Sequence, residues 1–101
     1  LHLVIYKDEK LVAYARLIKP GVKYETSSIG RVVVNPDYRN LKLGHILIEN
    51  AIAFIKENYQ TNSITISAQA HLQNFYQQHG FVTNSDLYLE DDIPHVEMIR
   101  A

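Results

Sequence analysis

A mixed α/β fold with the element order βββαβαββ is what this 101-residue sequence predicts, on three observations. Two strand-like runs, 2–6 and 11–18, are separated only by the polar Lys7-Asp8-Glu9-Lys10, as in an antiparallel hairpin. Residues 29–34 (IGRVVV) are dense in β-branched side chains, which fit a pleated, half-buried surface. From Leu43 to about Tyr59 the apolar pattern switches to a helical period.

Each element follows from its residues. HLVIY and LVAYARLI form the hairpin, and Pro20-Gly21 opens a polar loop that lasts to Ser28. Asn35-Pro36 ends the third strand, because proline has no N–H to give a sheet ladder. In the long helix Leu47, Ile48, Ala51, Ile52 and Ile55 fall on one face, with His45, Glu49 and Lys56 opposite. SITISA at 63–68 reads as a short strand, and Ala70 to His79 as a second helix stopped by Gly80. Phe81-Val82 resumes extended structure, Glu90-Asp91-Asp92 reads as a solvated acidic loop that can also meet a cationic substrate, and 95–100 (HVEMIR) closes the sheet. The unit at 29–68 is expected to be a right-handed parallel crossover within one sheet. That places the turn after Pro36 at the carboxyl end of its strand, where open α/β sheets bind ligands.

Size and composition narrow the function classes. A chain of 101 residues is one domain, able to bury a core without metals or disulfides. No apolar run reaches the roughly 20 residues of a membrane span. Ten Lys and Arg balance eleven Asp and Glu, so no global basic field draws the chain to nucleic acid or to a membrane. Zero cysteines exclude disulfides and thiolate chemistry, and fit a cytoplasmic setting. The sequence opens on Leu1-His2-Leu3 without an initiator Met, which leads us to expect a missing N-terminal piece. Such a truncation would expose apolar surface and favour a homodimer or aggregation.

The residues that offer chemistry fall in two segments. Arg39-Asn40-Leu41-Lys42-Leu43-Gly44 supplies two cations at a helix start, where unpaired amides and the positive end of the helix dipole suit an anion. Solvated lysine and arginine explain the same residues equally well. Neither GxxxxGK[ST] nor GxGxxG occurs, which argues against nucleoside triphosphates and dinucleotides. In QAHLQNFYQQHGF, Leu72, Phe75, Tyr76 and His79 share one helix face. Tyr76 there is either a core residue whose hydroxyl needs a partner, or a general acid for a leaving thiolate or alkoxide. The five histidines form no HExxH or comparable set, so no metal is expected, and no GxSxG elbow supports a hydrolase.

Taken together, two segments resemble the GNAT superfamily of acetyl-CoA-dependent N-acetyltransferases. IGRVVV followed by PDYRNLKLGHILI is similar to its acyl-CoA signature, and QNFYQQHGF to its Tyr-x-x-x-Gly-Phe segment. RVVV, AQAHLQNFYQ and DDIPHVEM together resemble the ElaA-type branch. The resemblance covers the whole chain and implies the GNAT fold without its N-terminal strand and helices, a region that in this branch carries acidic and aromatic residues facing the substrate.

The resemblance also implies roles. Val32, Val33 and Val34 would pair with pantetheine through their backbone, and Arg39, Asn40, Leu41, Lys42, Leu43, Gly44 and His45 would cradle the CoA pyrophosphate. Asn74 would contact the pantetheine arm, and Tyr76 would protonate the departing CoA thiolate. His95 and Glu97 are the candidates for the base that deprotonates the attacking amine, and a Val33 or Val34 N–H would polarise the thioester. Acetyl-CoA and a primary amine are the implied substrates, with a catalytically idle CoA-binding regulatory module as the alternative. Two departures stand out: Lys42 replaces the first glycine of the signature, and Gln69 and Leu72 stand where the family often has Asn and Ala. A non-glycine at position 42 requires either a negative φ or tolerated strain.

Overall fold

A computed structural model of the protein describes residues 1–37 and 42–101. Along the chain run β1 (His2–Lys7), β2 (Lys10–Ile18), β3 (Ser28–Val34), α1 (Leu43–Tyr59), β4 (Ile64–Gln69), α2 (Gln73–Gln77), β5 (Val82–Thr83), β6 (Tyr88–Glu90) and β7 (Ile93–Arg100). No helix among the described residues is long and apolar enough to cross a membrane.

The β1–β2 hairpin forms as expected, with Val4 opposite Tyr14. Its turn places Asp8 and Glu9 at φ 51° and 67°. Two successive left-handed residues give the turn geometry whose twist matches that of the flanking strands. Against this sheet α1 buries Leu43, Leu47, Ile48, Ala51, Ile52 and Ile55. They share one core with Val12, Ala13, Ala15 and Leu17 of β2. Each Leu or Ile so buried contributes about 1.5–3 kcal/mol of transfer free energy.

The strands do not make the single continuous sheet that the sequence suggested. They form two sheets, β1-β2-β3 and β4-β7-β5, with β6 paired to β7. The parallel crossover is present, since Ser27 bridges Ile64 in parallel and Thr65 N–H donates to Ser27 O at 2.9 Å. Past that point β3 and β4 separate. A bulge in β3 accompanies the split: Tyr14 pairs with Val33 but Arg16 with Gly30, so Arg31 and Val32 both lie opposite Ala15. Arg31 takes φ 51°. An extra residue of this kind bends its strand and leaves part of the ladder unpaired.

Two further elements differ from expectation. The helix foreseen over 70–79 is a 3₁₀ turn, Ala70–Leu72, followed by the five-residue α2. The turn that follows α2 closes at Gly80, where Gly80 N–H donates to Gln77 O and Phe81 N–H to Tyr76 O, and the φ of +90° suits glycine. The acidic segment at 90–92 is not simply a solvated loop. Asp91 and Asp92, at φ 52° and 63°, form the tight turn of a β6–β7 hairpin, which adds one strand to the predicted order.

Candidate active site

Where β3 and β4 separate lies a cleft of about 190 Å³, bordered by Ile29 to Val32 of β3, Ile66 to Gln69 of β4, and Leu72, Tyr76, Glu90 and His95. Strand alternation gives it two chemically different sides. On β4, Ile64, Ile66 and Ala68 belong to the core, and so does Tyr76, which α2 brings to that face. Ser67 and Gln69 point the other way. Ser67 pairs with Glu97 and Gln69 with His95 on β7, while Tyr88 pairs with His95 and Glu90 with Ile93 on β6. Ser67, Tyr88, Glu90, His95 and Glu97 therefore share the face opposite Tyr76.

Tyr76 is only 6% exposed, and its ring packs edge-on against Phe75 and Phe81. Burial pushes its phenol up to about 12, so it stays protonated across the neutral range. Among the described residues its hydroxyl has no hydrogen-bond partner. A core tyrosine ordinarily finds one.

His95 is buried, and its Nδ1 lies 2.7 Å from Ile93 O. A carbonyl only accepts, so Nδ1 carries the hydrogen and Nε2 is left for other work. Nε2 lies 3.3 Å from Glu90 Oε2. Ser67 Oγ donates to Glu90 Oε1 at 3.3 Å and lies 2.5 Å from Tyr88 OH. Tyr24 borders the same groups: burial raises its phenol, and Tyr88, Glu97 and Glu90 raise it further. Glu97 is placed differently from His95. Its carboxylate accepts a hydrogen bond from Asn84 Nδ2 at 2.9 Å, its N–H donates to Ser85 Oγ at 2.8 Å, and it does not line the cleft.

Among the described residues α1 has no side-chain cap and no acidic residue in its first turn, and the first backbone bond at its start is Ile46 N–H to Lys42 O at 3.3 Å. The amides of Leu43, Gly44 and His45 precede any intrahelical acceptor. Lys42 resolves its departure from the signature in favour of strain: it occupies the left-handed region at φ 56°, ψ 31°. Gly44 has a packing reason of its own, since a Cβ there would come within 3.3 Å of the Phe75 ring. Arg39, Asn40 and Leu41 lie outside the described residues. Val32 borders the cleft, whereas Val33 is 57% exposed and lines a separate groove with Leu11, Tyr14 and Pro36. Asn74 is exposed on α2.

The structure thus brings Tyr76, His95 and Val32 to one cleft and leaves Glu97 and Asn74 outside it. Sequence reasoning missed Arg31 and Ser67 as cleft residues, and offered Glu90 only as part of an acidic loop able to meet a cationic substrate. The Gly30 inside a β-branched run signals a bulge, and Asp-Asp is a signal for a left-handed turn.

A family model described as the Acetyltransferase (GNAT) domain matches residues 1–101. Protein ElaA of Escherichia coli (strain K12) is 39% identical over 99 residues, which cover 98% of this chain and 65% of ElaA. A UPF0039 protein of Schizosaccharomyces pombe is 46% identical over 99 residues, covering 96% of this chain and 65% of its own. Among solved structures, an acyl-CoA N-acyltransferase from Pseudomonas aeruginosa superposes with a TM-score of 0.92 at 43% identity, over 99% of this chain and 67% of that one. Escherichia coli ElaA superposes with a TM-score of 0.90 at 38% identity, over 99% and 67%. The chain spans about two thirds of the length of these relatives. With the GNAT model matched end to end and an ElaA homologue at 39% identity, the chain belongs to the GNAT acetyltransferase family and is a homologue of ElaA.

Proposed function

We propose that residues 1–101 form a single acetyltransferase domain that passes an acetyl group from acetyl-CoA to a primary amine of a small molecule or peptide by direct attack. The observation that carries this reading is the pair of opposed groups at the cleft: a protonated Tyr76, without a hydrogen-bond partner among the described residues, on one side and His95 with a fixed tautomer on the other. Two titratable groups whose surroundings keep one protonated and leave the other able to accept a proton divide acid and base work between them.

The residues present fit a CoA thioester. The start of α1, without a side-chain cap, offers the amides of Leu43, Gly44 and His45, which have no partner among the described residues, and Lys42 to the pyrophosphate. The edge of β3 that β4 leaves unpaired offers backbone groups to an extended amide-bearing arm. A Val33 or Val34 N–H would polarise the thioester oxygen as negative charge develops there. The amine attacks from the His95 side, and Tyr76 gives its proton to the departing thiolate. Localisation in the cytoplasm agrees with a chain that has no cysteine to protect.

Acetyl-CoA turnover over a panel of amines and peptide N-termini, measured on the whole protein and its Tyr76→Phe variant, tests the reading. The expected result is a roughly 10²-fold fall in kcat with little change in CoA affinity. Normal turnover in Tyr76→Phe removes the residue from the mechanism. CoA binding with no turnover of any amine favours an idle regulatory module.

A further inference from the structure

We propose that the proton acceptor on the amine side of the cleft is the His95–Glu90 pair acting as a unit, with Glu90 as the positioning residue that makes His95 a competent base. The inference rests on the acetyl-transfer reading and adds a residue to it. It starts from a lone-pair conflict. Because Nδ1–H is committed to Ile93 O, a neutral His95 points the bare Nε2 at the carboxylate oxygen of Glu90, 3.3 Å away. Two acceptors facing each other repel. One proton placed between them turns that contact into a charge-assisted hydrogen bond.

The substrate supplies that proton. An amine arrives at neutral pH chiefly as an ammonium ion, and only its free base can attack the thioester. At the pair, an ammonium N–H bond breaks, its electrons stay on the amine nitrogen, and the proton bonds to His95 Nε2 and is shared with Glu90 Oε2. The 48% exposure of the Glu90 side chain gives the proton a route to solvent. Ser67 Oγ holds the other carboxylate oxygen at 3.3 Å, so the carboxylate keeps its orientation through the cycle. Ring stacking of Tyr88 on His95, with centroids 6.2 Å apart, steadies the imidazole.

Among the described residues, the charges around the pair are of both signs. Glu97 lies on the same strand face and is held by Asn84, while the Arg31 guanidinium borders the cleft from β3 and is the cation that an arriving ammonium has to share it with; the phenols of Tyr24, Tyr76 and Tyr88 also lie near. Between Lys56 and Arg100 the sequence holds six carboxylates and no Lys or Arg, so no cation from that stretch competes with the ammonium for Glu90.

Glu90→Gln separates the proposal from a structural role. A carboxamide can turn its NH₂ toward Nε2 and hold the neutral ring, which reverses the effect of the carboxylate. The expected result is a fall in kcat/KM of at least about 10-fold at neutral pH. The acidic limb of the pH–rate profile also moves to lower pH, and Glu90→Asp restores part of the rate. A fall that is equal at every pH, with the limb unmoved, overturns the proposal. A second measurement does not depend on turnover: NMR titration of the ¹⁵N-labelled ring of His95 in the wild-type protein and in Glu90→Gln. A midpoint that drops in the variant supports the pair even where no amine is acetylated, and an unmoved midpoint rejects the pair even where acetyl transfer is established.

Discussion

His45 Nδ1 and His79 Nε2 lie 2.8 Å apart, joining the first turn of α1 to the end of the segment that carries Tyr76. His79 is buried at 8% exposure, and its second ring nitrogen lies 2.5 Å from Glu49 Oε1. A carboxylate only accepts, so His79 Nδ1 donates to Glu49, and the neutral ring's Nε2 receives the hydrogen of His45 Nδ1. Phe75 packs against both rings, and Arg100 Nε donates to His79 O at 2.9 Å. The unit ties the start of α1 to the phenol's platform.

His79→Leu, which keeps bulk but removes both ring hydrogen bonds, is expected to cost about 1–3 kcal/mol in urea unfolding. Combined with His45→Phe, it should cost less than the sum of the single variants, by on the order of 1 kcal/mol, because the two rings share one bond. Additive losses would show that the rings contribute independently.

The Tyr76 phenol makes a separate claim on stability. Burial raises it from 10.0 to about 12 in the folded chain. The unfolded chain loses this proton first as pH rises, so folding stability is complete below pH 10 and declines between pH 10 and 12. The decline attributable to this residue is about 2–3 kcal/mol. Tyr76→Phe should remove it, and the stability difference between variant and wild type should widen across that window in favour of the variant. Parallel curves for the two proteins above pH 10 would mean that the phenol is more accessible than its 6% exposure implies.

Much of the fold was legible because its signals are local. The hairpin at Lys7-Asp8-Glu9-Lys10, the α1 stripe from Leu47 to Ile55 and the stop at Gly80 each depend on residues a few positions apart. The division into two sheets was not, because it depends on how β3 and β4 diverge after a single bridge between Ser27 and Ile64, 37 positions apart. Tyr76 stands out from its segment, but that it borders the cleft, with no hydrogen-bond partner for its hydroxyl among the described residues, is visible only in tertiary structure. Glu90 reads from sequence as solvated, because a carboxylate beside two aspartates usually is, or as a contact for a cationic substrate. That the Asp91-Asp92 turn folds it back beside His95 is a tertiary fact.

Lys42 holds the position where backbone strain and ligand binding oppose each other. At φ 56° a side chain bearing Cβ costs roughly 1–2 kcal/mol relative to its preferred conformations. Glycine avoids that cost but loses about 0.5–1 kcal/mol of its greater freedom on ordering. Lys42→Gly should therefore stabilise the fold by about 0.5–1 kcal/mol while removing an ammonium from the start of α1. If that ammonium meets a CoA phosphate, affinity for CoA falls by roughly 1.5–3 kcal/mol, the range of a hydrogen bond to a charged group. Thermal unfolding and calorimetric CoA titration of one purified variant read the two effects with opposite signs. Affinity that rises together with stability would mean that Lys42 strains the turn without touching the ligand, leaving the phosphate to the amides of Leu43, Gly44 and His45 and to other residues of the turn.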